Sequence, residues 1–572
     1  MILLSGFATS LAISVGITPL VRFLSNRFKV LDQPDLLKGG RRMHNIPTPR
    51  LGGVAIVTGF LIPCFLIFDN ESLRTISMAS LAIFALGFLD DLVSLSARIR
   101  IVIQTVISGI AVSLLGLEVQ EIYFFQDLSI QLSPVVGLSL SIFIIVGAIN
   151  SLNMIDGLDG LASGVSFIAI MMLAYNYYLI TGDIENIAVV ALPLLGAILG
   201  FLRYNTHPAS IFMGDSGSNW LGFMVGLLML INLCPQQISG GAKITATPLI
   251  MSTILCFGVA VFDTFIVIVS RVRTGHSPLV SDKRHFHHSL VKIGLNQSQS
   301  VICIYFLSFC SAIAGSIPAV YHKLDLYWVP YVWSLLLAAI ISLSVFINSD
   351  RLQSLINFRQ IISSRIMLSK PTYALVRSWE KLNKYLLFII LIASPITAGR
   401  FDQVIGQLSI IALALVLVAA LTSRIRHQSD FFCSIANCLA FVTLLIANNQ
   451  QPLKVGLFGE AYNIQFIYNG LFVVLAISTL GLILCTIKRK YLIFSPSDFL
   501  MLLLPMIILL LPETVINEYR LDIISLRSIV VFVAYKSLEK MRRSNHRHLR
   551  LALSCALLYV LAVSLVGFEF IY

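Results

Sequence analysis

The sequence predicts an all-α protein, a polytopic bundle of transmembrane helices, with about eleven helices in a core and about seven more towards the C-terminus. Three observations predict it. Of 572 residues, 57% are hydrophobic and only 12% are charged, which leaves too little polar surface to cover a water-soluble globule. Apolar runs of about 20 residues, the length that crosses the hydrocarbon core of a bilayer, recur from residues 3–23 through to residues 550–570. The formal net charge of +12 has no soluble domain to carry it as a nucleic-acid surface, so it is expected in basic cytoplasmic loops, with no nucleic-acid partner.

Taken in order, the core spans are expected near residues 3–23, 52–69, 74–90, 101–118, 134–150, 160–180, 186–203, 219–234, 246–270, 299–320 and 326–347. The first has no basic segment before it and no small-residue cleavage site after it, so it reads as a retained helix and not as a signal peptide. A basic, partly amphipathic stretch then interrupts the apolar pattern. The expected organisation is therefore a core at 1–350, a basic cytoplasmic linker at 351–384 and a transmembrane extension at 385–572, the extension of open role. No internal repeat stands out. The nine cysteines, Cys64, Cys256 and Cys433 among them, lie in or beside apolar runs without a CxxC pair, which argues against a disulfide framework or a zinc ribbon.

Lysine and arginine set the orientation. The first loop carries Arg27, Lys29, Lys38, Arg41, Arg42 and Arg50, the fourth, from Glu118 to Ser133, carries neither residue, and the ninth holds Arg271, Arg273, Lys283, Arg284 and Lys292. Odd-numbered loops are therefore expected on the cytoplasmic side, with Met1 outside.

Five polar clusters fall in those odd loops. His44 lies in RRMHNIPTPRLGG, where proline and glycine shape a non-helical entry into the second span. Asp90 and Asp91 end the third span in GFLDDLVSL, followed by Arg98, Arg100 and Gln104. The fifth loop reads NSLNMIDGLDGLASG, with Asn150, Asn153, Asp156 and Asp159. The seventh contains NTHPASIFMGDSGSNWLG, with Phe212 and Asp215, and the ninth contains SDKRHFHHSL, with Asp282, His285, His287 and His288. Adjacent carboxylates such as Asp90 and Asp91 repel each other at a low-dielectric boundary, so they call for a proton, a basic partner or a hard cation. Oxygen donors favour Mg²⁺, or Mn²⁺, over zinc, and Mg²⁺ binds substrate phosphates readily. Asp156 and Asp159, three residues apart, share a face on a helical turn, while Gly157 leaves the backbone open. The histidines with Lys283 and Arg284 supply donors for a diphosphate.

Singly, each cluster has a plainer reading. Asp90 and Asp91 could form a solvated helix end, DGLDG a turn without the full EF-hand spacing, and His44 a structural residue. Phe212 suits an interface anchor as well as a platform for a base. Arg98, Arg271 and Arg273 suit topology determinants, and the histidines lack a cysteine to complete a zinc set. Co-occurrence in five loops of one side carries the functional reading.

Together these residues resemble the polyprenyl-phosphate N-acetylhexosamine-1-phosphate transferases, the family of glycosyltransferases that also includes the muramyl-pentapeptide transferase. The resemblance covers residues 1 to 350 and rests on HNIPTPRLGG, GFLDDLVSL with Gln104, NSLNMIDGLDGLASG, NTHPASIFMGDSGS and DKRHFHHSL in order. It implies that Asp90 and Asp91 activate the lipid phosphate and organise the metal, that Asp215 is a Mg²⁺ ligand, and that Asp156 and Asp159 form the second acidic motif with Asn153 beside it; Asn150 and Asn153 are candidate substrate contacts. It implies that Phe212 contacts uracil, and that His285, His287 and His288, with Arg271, Lys283 and Arg284, face the diphosphate or the sugar. His44 is a further candidate substrate contact. The His-Phe-His-His order resembles the N-acetylglucosamine branch. The implied substrates are a UDP-N-acetylhexosamine and polyprenyl (undecaprenyl) phosphate, the implied step initiates envelope-glycan synthesis at the inner membrane, and the C-terminal spans could support a homodimer or glycan-synthesis partners. Rival readings are a transporter or lipid flippase, which would need carboxylates within spans, a CDP-alcohol phosphotransferase, whose arginine-containing spacing is missing, and a zinc-dependent membrane hydrolase.

Overall fold

The computed structural model describes residues 2–32, 47–68, 71–125, 128–235, 247, 249–275, 277, 285–321, 326–347, 378, 381–391, 454–457, 460–463, 471–479, 495–503 and 521–541. The chain divides into two compact units, Met1–Phe358 and Arg359–Tyr572.

The first unit is a helical bundle. In order come α1 (Ile2–Arg27), α2 (Gly53–Ile67), α3 (Glu71–Val93), α4 (Ala97–Leu115), α5 (Pro134–Ile155), α6 (Leu161–Thr181), α7 (Glu185–Asn205), α8 (Gly214–Leu233), α9 (Ile250–Cys256), α10 (Gly258–Arg273), α11 (Phe286–Lys292), α12 (Gln297–Val320) and α13 (Val329–Ile347). Eight of these are long and apolar enough to cross a membrane. The bent pair α9–α10 and the shorter apolar helices at Gly53–Ile67 and Val329–Leu343 fill the other expected runs. This is a multi-pass membrane protein. The bundle has an apolar outside as well as an apolar core: on α4 the apolar Val102, Val106, Ile110 and Leu114 are exposed as one stripe, while Gln104 and Ser108 are buried. Lipid, not water, is the solvent for such a stripe.

Local signals set the ends. Ser96 accepts a hydrogen bond from the Ile99 N–H to open α4, and Gly116 in the left-handed region closes it. Asn296 and Gln299 form a capping box at the start of α12. At the centre lies α8, buried along its whole span and packed on α2, α3, α5 and α6. Gly222 and Gly226 of α8 let it close on Ile149 and Ile145 of α5, where an added Cβ would stand 2.5 and 2.8 Å from their Cα atoms.

Three features differ from the sequence expectation. The ninth span is broken at Phe257 and its halves meet at 94°. The fourth loop forms an antiparallel hairpin, β3 (Glu121–Phe125) with β4 (Leu128–Gln131), following the small ribbon of β1 (Leu31–Asp32) and β2 (Thr48–Pro49). Several helices also run on into the polar motifs, so that Asp90, Asp91, Asn150 and Asn153 sit in the last turns of α3 and α5 and not in loops. Apolar periodicity ends where these residues begin, but their backbone hydrogen bonds continue.

The second unit contains the hairpin β5 (Lys454–Leu457) and β6 (Glu460–Asn463), helical residues 381–391 and 471–479, α14 (Pro496–Leu503) and α15 (Leu521–Met541). Lys536 of α15 pairs with Asp498 of α14 at 3.1 Å, both side chains buried. The expected seven C-terminal spans fall mostly outside the described residues.

Candidate active site

The site forms where the C-terminal ends of α3 and α5 meet the N-terminus of α8. A strap, Thr48–Gly53, is laced to the segment before α8. The Phe212 N–H donates to Pro49 O at 2.7 Å, Gly52 N–H to Phe212 O at 2.9 Å, and Gly53 N–H to Met213 O at 2.8 Å. The lacing demands glycine at 214: its φ is +74°, and a Cβ there would lie 2.2 Å from Arg50 O. The strap thus delivers Arg50 beside Asp215. Its Nη2 donates to Asp215 Oδ2, and its Nε lies 3.1 Å from Asp91 Oδ1. Burial works against the Arg50 charge, but Asp215 and then Asp91 outweigh it and hold the guanidinium more firmly charged than in water.

Asp91 solves a capping problem. The residue at the N-cap of α8, Met213, has no capping side chain, and the first amides of any helix lack partners within it. The buried Asp91 carboxylate reaches across from α3 to accept both, from Asp215 N–H and Ser216 N–H at 2.9 Å each. Its companion Asp90 accepts from Leu95 N–H at 2.7 Å and pairs with Arg100 Nη1 at 2.5 Å. Arg100 Nη1 also stands 3.7 Å from Asp215 Oδ1, the oxygen to which Asn153 donates at 2.6 Å. Three predicted residues from two helices, Asp90, Asp91 and Asn153, therefore gather around a fourth, Asp215, joined by two arginines. The partner for the carboxylate cluster, which the sequence left between proton, base and cation, is basic in this geometry. Asn150 lies further back, its amide donating to Gln104 at 3.0 Å.

Asp156, just past the end of α5, opens towards the same basin. Crowding by the surrounding protein and then the Asp215 charge raise its carboxyl above the ordinary carboxylate range, against the pull of Arg50, although the residue is exposed. Asp159 instead faces the loop after α7: His207 Nδ1 is 2.7 Å away, and the Ala209 N–H donates to the same oxygen at 3.1 Å. That contact braces the 206–211 loop which leads into Phe212, itself half-buried.

The histidine motif docks on Gly157, where an added Cβ would stand 2.4 Å from His287 Nε2. His285, His287 and His288 lie together, with ring centroids 5.7 and 4.2 Å apart in succession. The first of them, His285, is fixed by Asp263, absorbed into the ninth apolar run by the sequence reading. Its Oδ2 lies 2.9 Å from His285 Nδ1, and its Oδ1 accepts from the Phe286 N–H at 2.8 Å. Arg271 Nη2 is 3.4 Å from His285 Nε2. A guanidinium can only donate, so the network assigns the ring proton to Nδ1, facing Asp263. An acidic residue inside an apolar run, eight residues before an arginine, is the signal that could have found it. His44, Asp282, Lys283 and Arg284 lie outside the described residues.

Among the described residues, no group of three His, Cys, Asp or Glu side chains is placed to hold a metal ion. The atoms near Asp215 that could ligate a cation are nevertheless oxygens, those of the Asp90 and Asp91 carboxylates and of the Asn153 amide, which now presents its Nδ2. Mg²⁺ commonly takes only one or two protein carboxylates and fills its shell with water and substrate phosphates. The donor chemistry fits a hard cation on Asp215, with Asp90 nearby, provided Arg50 yields its oxygen. Asp91, with two amides and Arg50 on its carboxylate, acts first as the clamp that orients Asp215.

A family profile described as glycosyl transferase family 4 matches residues 73–232. A Bacillus subtilis (strain 168) protein described as a "probable undecaprenyl-phosphate N-acetylglucosaminyl 1-phosphate transferase" is 32% identical over 313 residues, 54% of this chain and 83% of the relative. A decaprenyl-phosphate N-acetylglucosaminephosphotransferase of Mycolicibacterium smegmatis is 32% identical over 52% of this chain and 77% of its own length. The undecaprenyl-phosphate alpha-N-acetylglucosaminyl 1-phosphate transferase of Escherichia coli (strain K12) is 27% identical over 53% of this chain and 80% of its own.

Proposed function

The chain belongs to glycosyl transferase family 4, and on that footing we propose that it transfers N-acetylglucosamine 1-phosphate from its UDP-sugar to a polyprenyl phosphate, releasing UMP. A phosphate oxygen of the lipid forms a bond to the β-phosphorus, and the bond from that phosphorus to the α–β bridging oxygen breaks. One phosphoanhydride replaces another. The second pKa of a phosphate monoester lies near 6, so much of the nucleophile is dianionic at pH 7 and a strong general base is not required. Positioning and charge neutralisation are then the larger contributions.

The single observation that carries this reading is the convergence of Asp90, Asp91, Asn153 and Asp215 with Arg50 and Arg100 at one end of an apolar bundle. Two polyanionic substrates call for cationic side chains and cation-binding oxygens close together, and the arginines and carboxylates of this cluster support that reading. When bound, Mg²⁺ supplies charge neutralisation at the diphosphate, with Asp215 as its principal holder and Asp90 beside it. Asp91 and Asn153 orient Asp215, Arg100 holds Asp90, and the histidine motif on Gly157 borders the same end of α5. Apolar helices carry the lipid tail, while the loops admit the soluble nucleotide. The Lys and Arg distribution supports an inner membrane location with the N-terminus outside and the site facing the cytoplasm. A transporter finds no support in the first unit, because the carboxylates of the basin sit at helix ends and not at mid-span.

The test is an assay of membranes containing the chain with labelled UDP-N-acetylglucosamine, polyprenyl phosphate and Mg²⁺. A lipid-extractable labelled product and stoichiometric UMP are expected, and Asp215→Asn is expected to lose both. Unchanged activity in that variant removes Asp215 from the cation site.

A further inference from the structure

Resting on the transferase reading, we propose that Arg50 is the residue that receives the diphosphate of the nucleotide sugar, and that it does so by exchanging places with the divalent cation on Asp215. Asp215 is held on both oxygens: Arg50 Nη2 on Oδ2, Asn153 Nδ2 on Oδ1 at 2.6 Å, with Arg100 Nη1 also 3.7 Å from Oδ1 but held by Asp90 at 2.5 Å. A cation and the guanidinium cannot share Oδ2, because each brings positive charge to the same lone pairs. The neutral Asn153 amide can turn its own oxygen to a cation, but a guanidinium has no acceptor to offer. Arg100 has its own short pair with Asp90 and only approaches Asp215, so Arg50, directly on Oδ2, is the group that yields.

Where it goes is constrained by its backbone. The Arg50 N–H is bound to Val30 O at 3.3 Å and to Ser25 Oγ at 3.3 Å, and its neighbours are laced to residues 212 and 213. The Cα stays fixed while a side chain that is 30% exposed swings on its stem. Its other carboxylate partner, Asp91, already accepts two backbone amides and has no need of a full salt bridge to stay in place. A guanidinium released at the rim of the basin meets the phosphates that accompany the cation, and its planar fork matches two phosphate oxygens. The same arginine thus keeps the carboxylates neutralised before substrate and neutralises the diphosphate after it.

The test uses the purified full-length chain and Mn²⁺ as the spectroscopic probe. Arg50→Gln is expected to bind Mn²⁺ several-fold more tightly than the parent protein, as its competitor is gone. The same variant, loaded with Mn²⁺, is expected to bind UDP-N-acetylglucosamine about tenfold or more weakly by calorimetry, the loss typical of a charged hydrogen bond. The KM for polyprenyl phosphate stays unchanged. Arg50→Lys, which keeps the charge but cannot bridge two carboxylates, falls between the two and gives the same reading should the glutamine variant fail to fold. Mn²⁺ and nucleotide-sugar affinities equal to the parent's, or a rise confined to the KM of the lipid phosphate, overturn the proposal. A parent protein that binds Mn²⁺ but neither binds the UDP-sugar nor forms lipid product overturns the transferase reading instead.

Discussion

Asp263 illustrates how a single side chain can govern a site it does not enter. Its carboxylate holds both the His285 ring and the Phe286 amide, so Asp263→Asn replaces an acceptor pair with an amide that can satisfy only one of them. Turnover is expected to fall by about tenfold or more, with the KM of the lipid phosphate unaffected and the folded bundle retained, as for other residues that orient a functional histidine. Steady-state kinetics alongside thermal unfolding in detergent separates that outcome from simple misfolding. Asp156 makes a different prediction. Its carboxyl is raised above the ordinary carboxylate range towards about 7, so its protonated fraction is expected to fall between pH 6 and pH 8. A cation at Asp215 acts on it in the opposite sense to the Asp215 charge and favours the ionised form, so cation binding should release a proton near pH 7 and tighten as pH rises through that value. Calorimetry in buffers of different ionisation enthalpy reads the proton directly, and Asp156→Asn should abolish its release.

At the scale of elements, the site depends on one helix being capped by another. The N-terminus of α8 takes its cap from Asp91 on α3, and the Gly214 turn fixes the distance between them. Gly214→Ala is expected to cost about 1–2 kcal/mol from the left-handed backbone alone, with a further loss as the strap carrying Arg50 is pushed away. A lowered unfolding midpoint in detergent together with lost transfer checks this. The bundle also shows why sequence periodicity placed the helices well and their ends poorly. Apolar runs report the depth of lipid, whereas α3 and α5 continue for a turn or more past them, where Asp90, Asp91 and Asn153 keep helical hydrogen bonds while their side chains turn to the site. The break at Phe257 left no such trace, because it does not change the average hydropathy of its run, and the β3–β4 hairpin lies in a loop on which apolar runs are silent.

For the whole molecule, the curated relatives align with little more than half of the chain, and the first unit ends at Phe358. A chain of residues 1–358 is therefore expected to retain transfer activity, measured as lipid-linked product per mole of protein. Loss of activity in a folded fragment would assign the second unit, with its buried Lys536–Asp498 pair, a part in the reaction. Composition and charge placement by themselves determined that this is a membrane bundle, and the order of the polar motifs identified its family, since both are properties of the chain read along its length. The partners of those motifs were decided only by tertiary structure. That Arg50 lies on Asp215, that Asp91 caps a helix from another span, and that Asp263 holds His285 are pairings between residues 165, 124 and 22 positions apart. Lipid drives the helices into the membrane without ranking their neighbours, and it is the close packing of small residues and the need to satisfy buried polar groups that selects which ends meet.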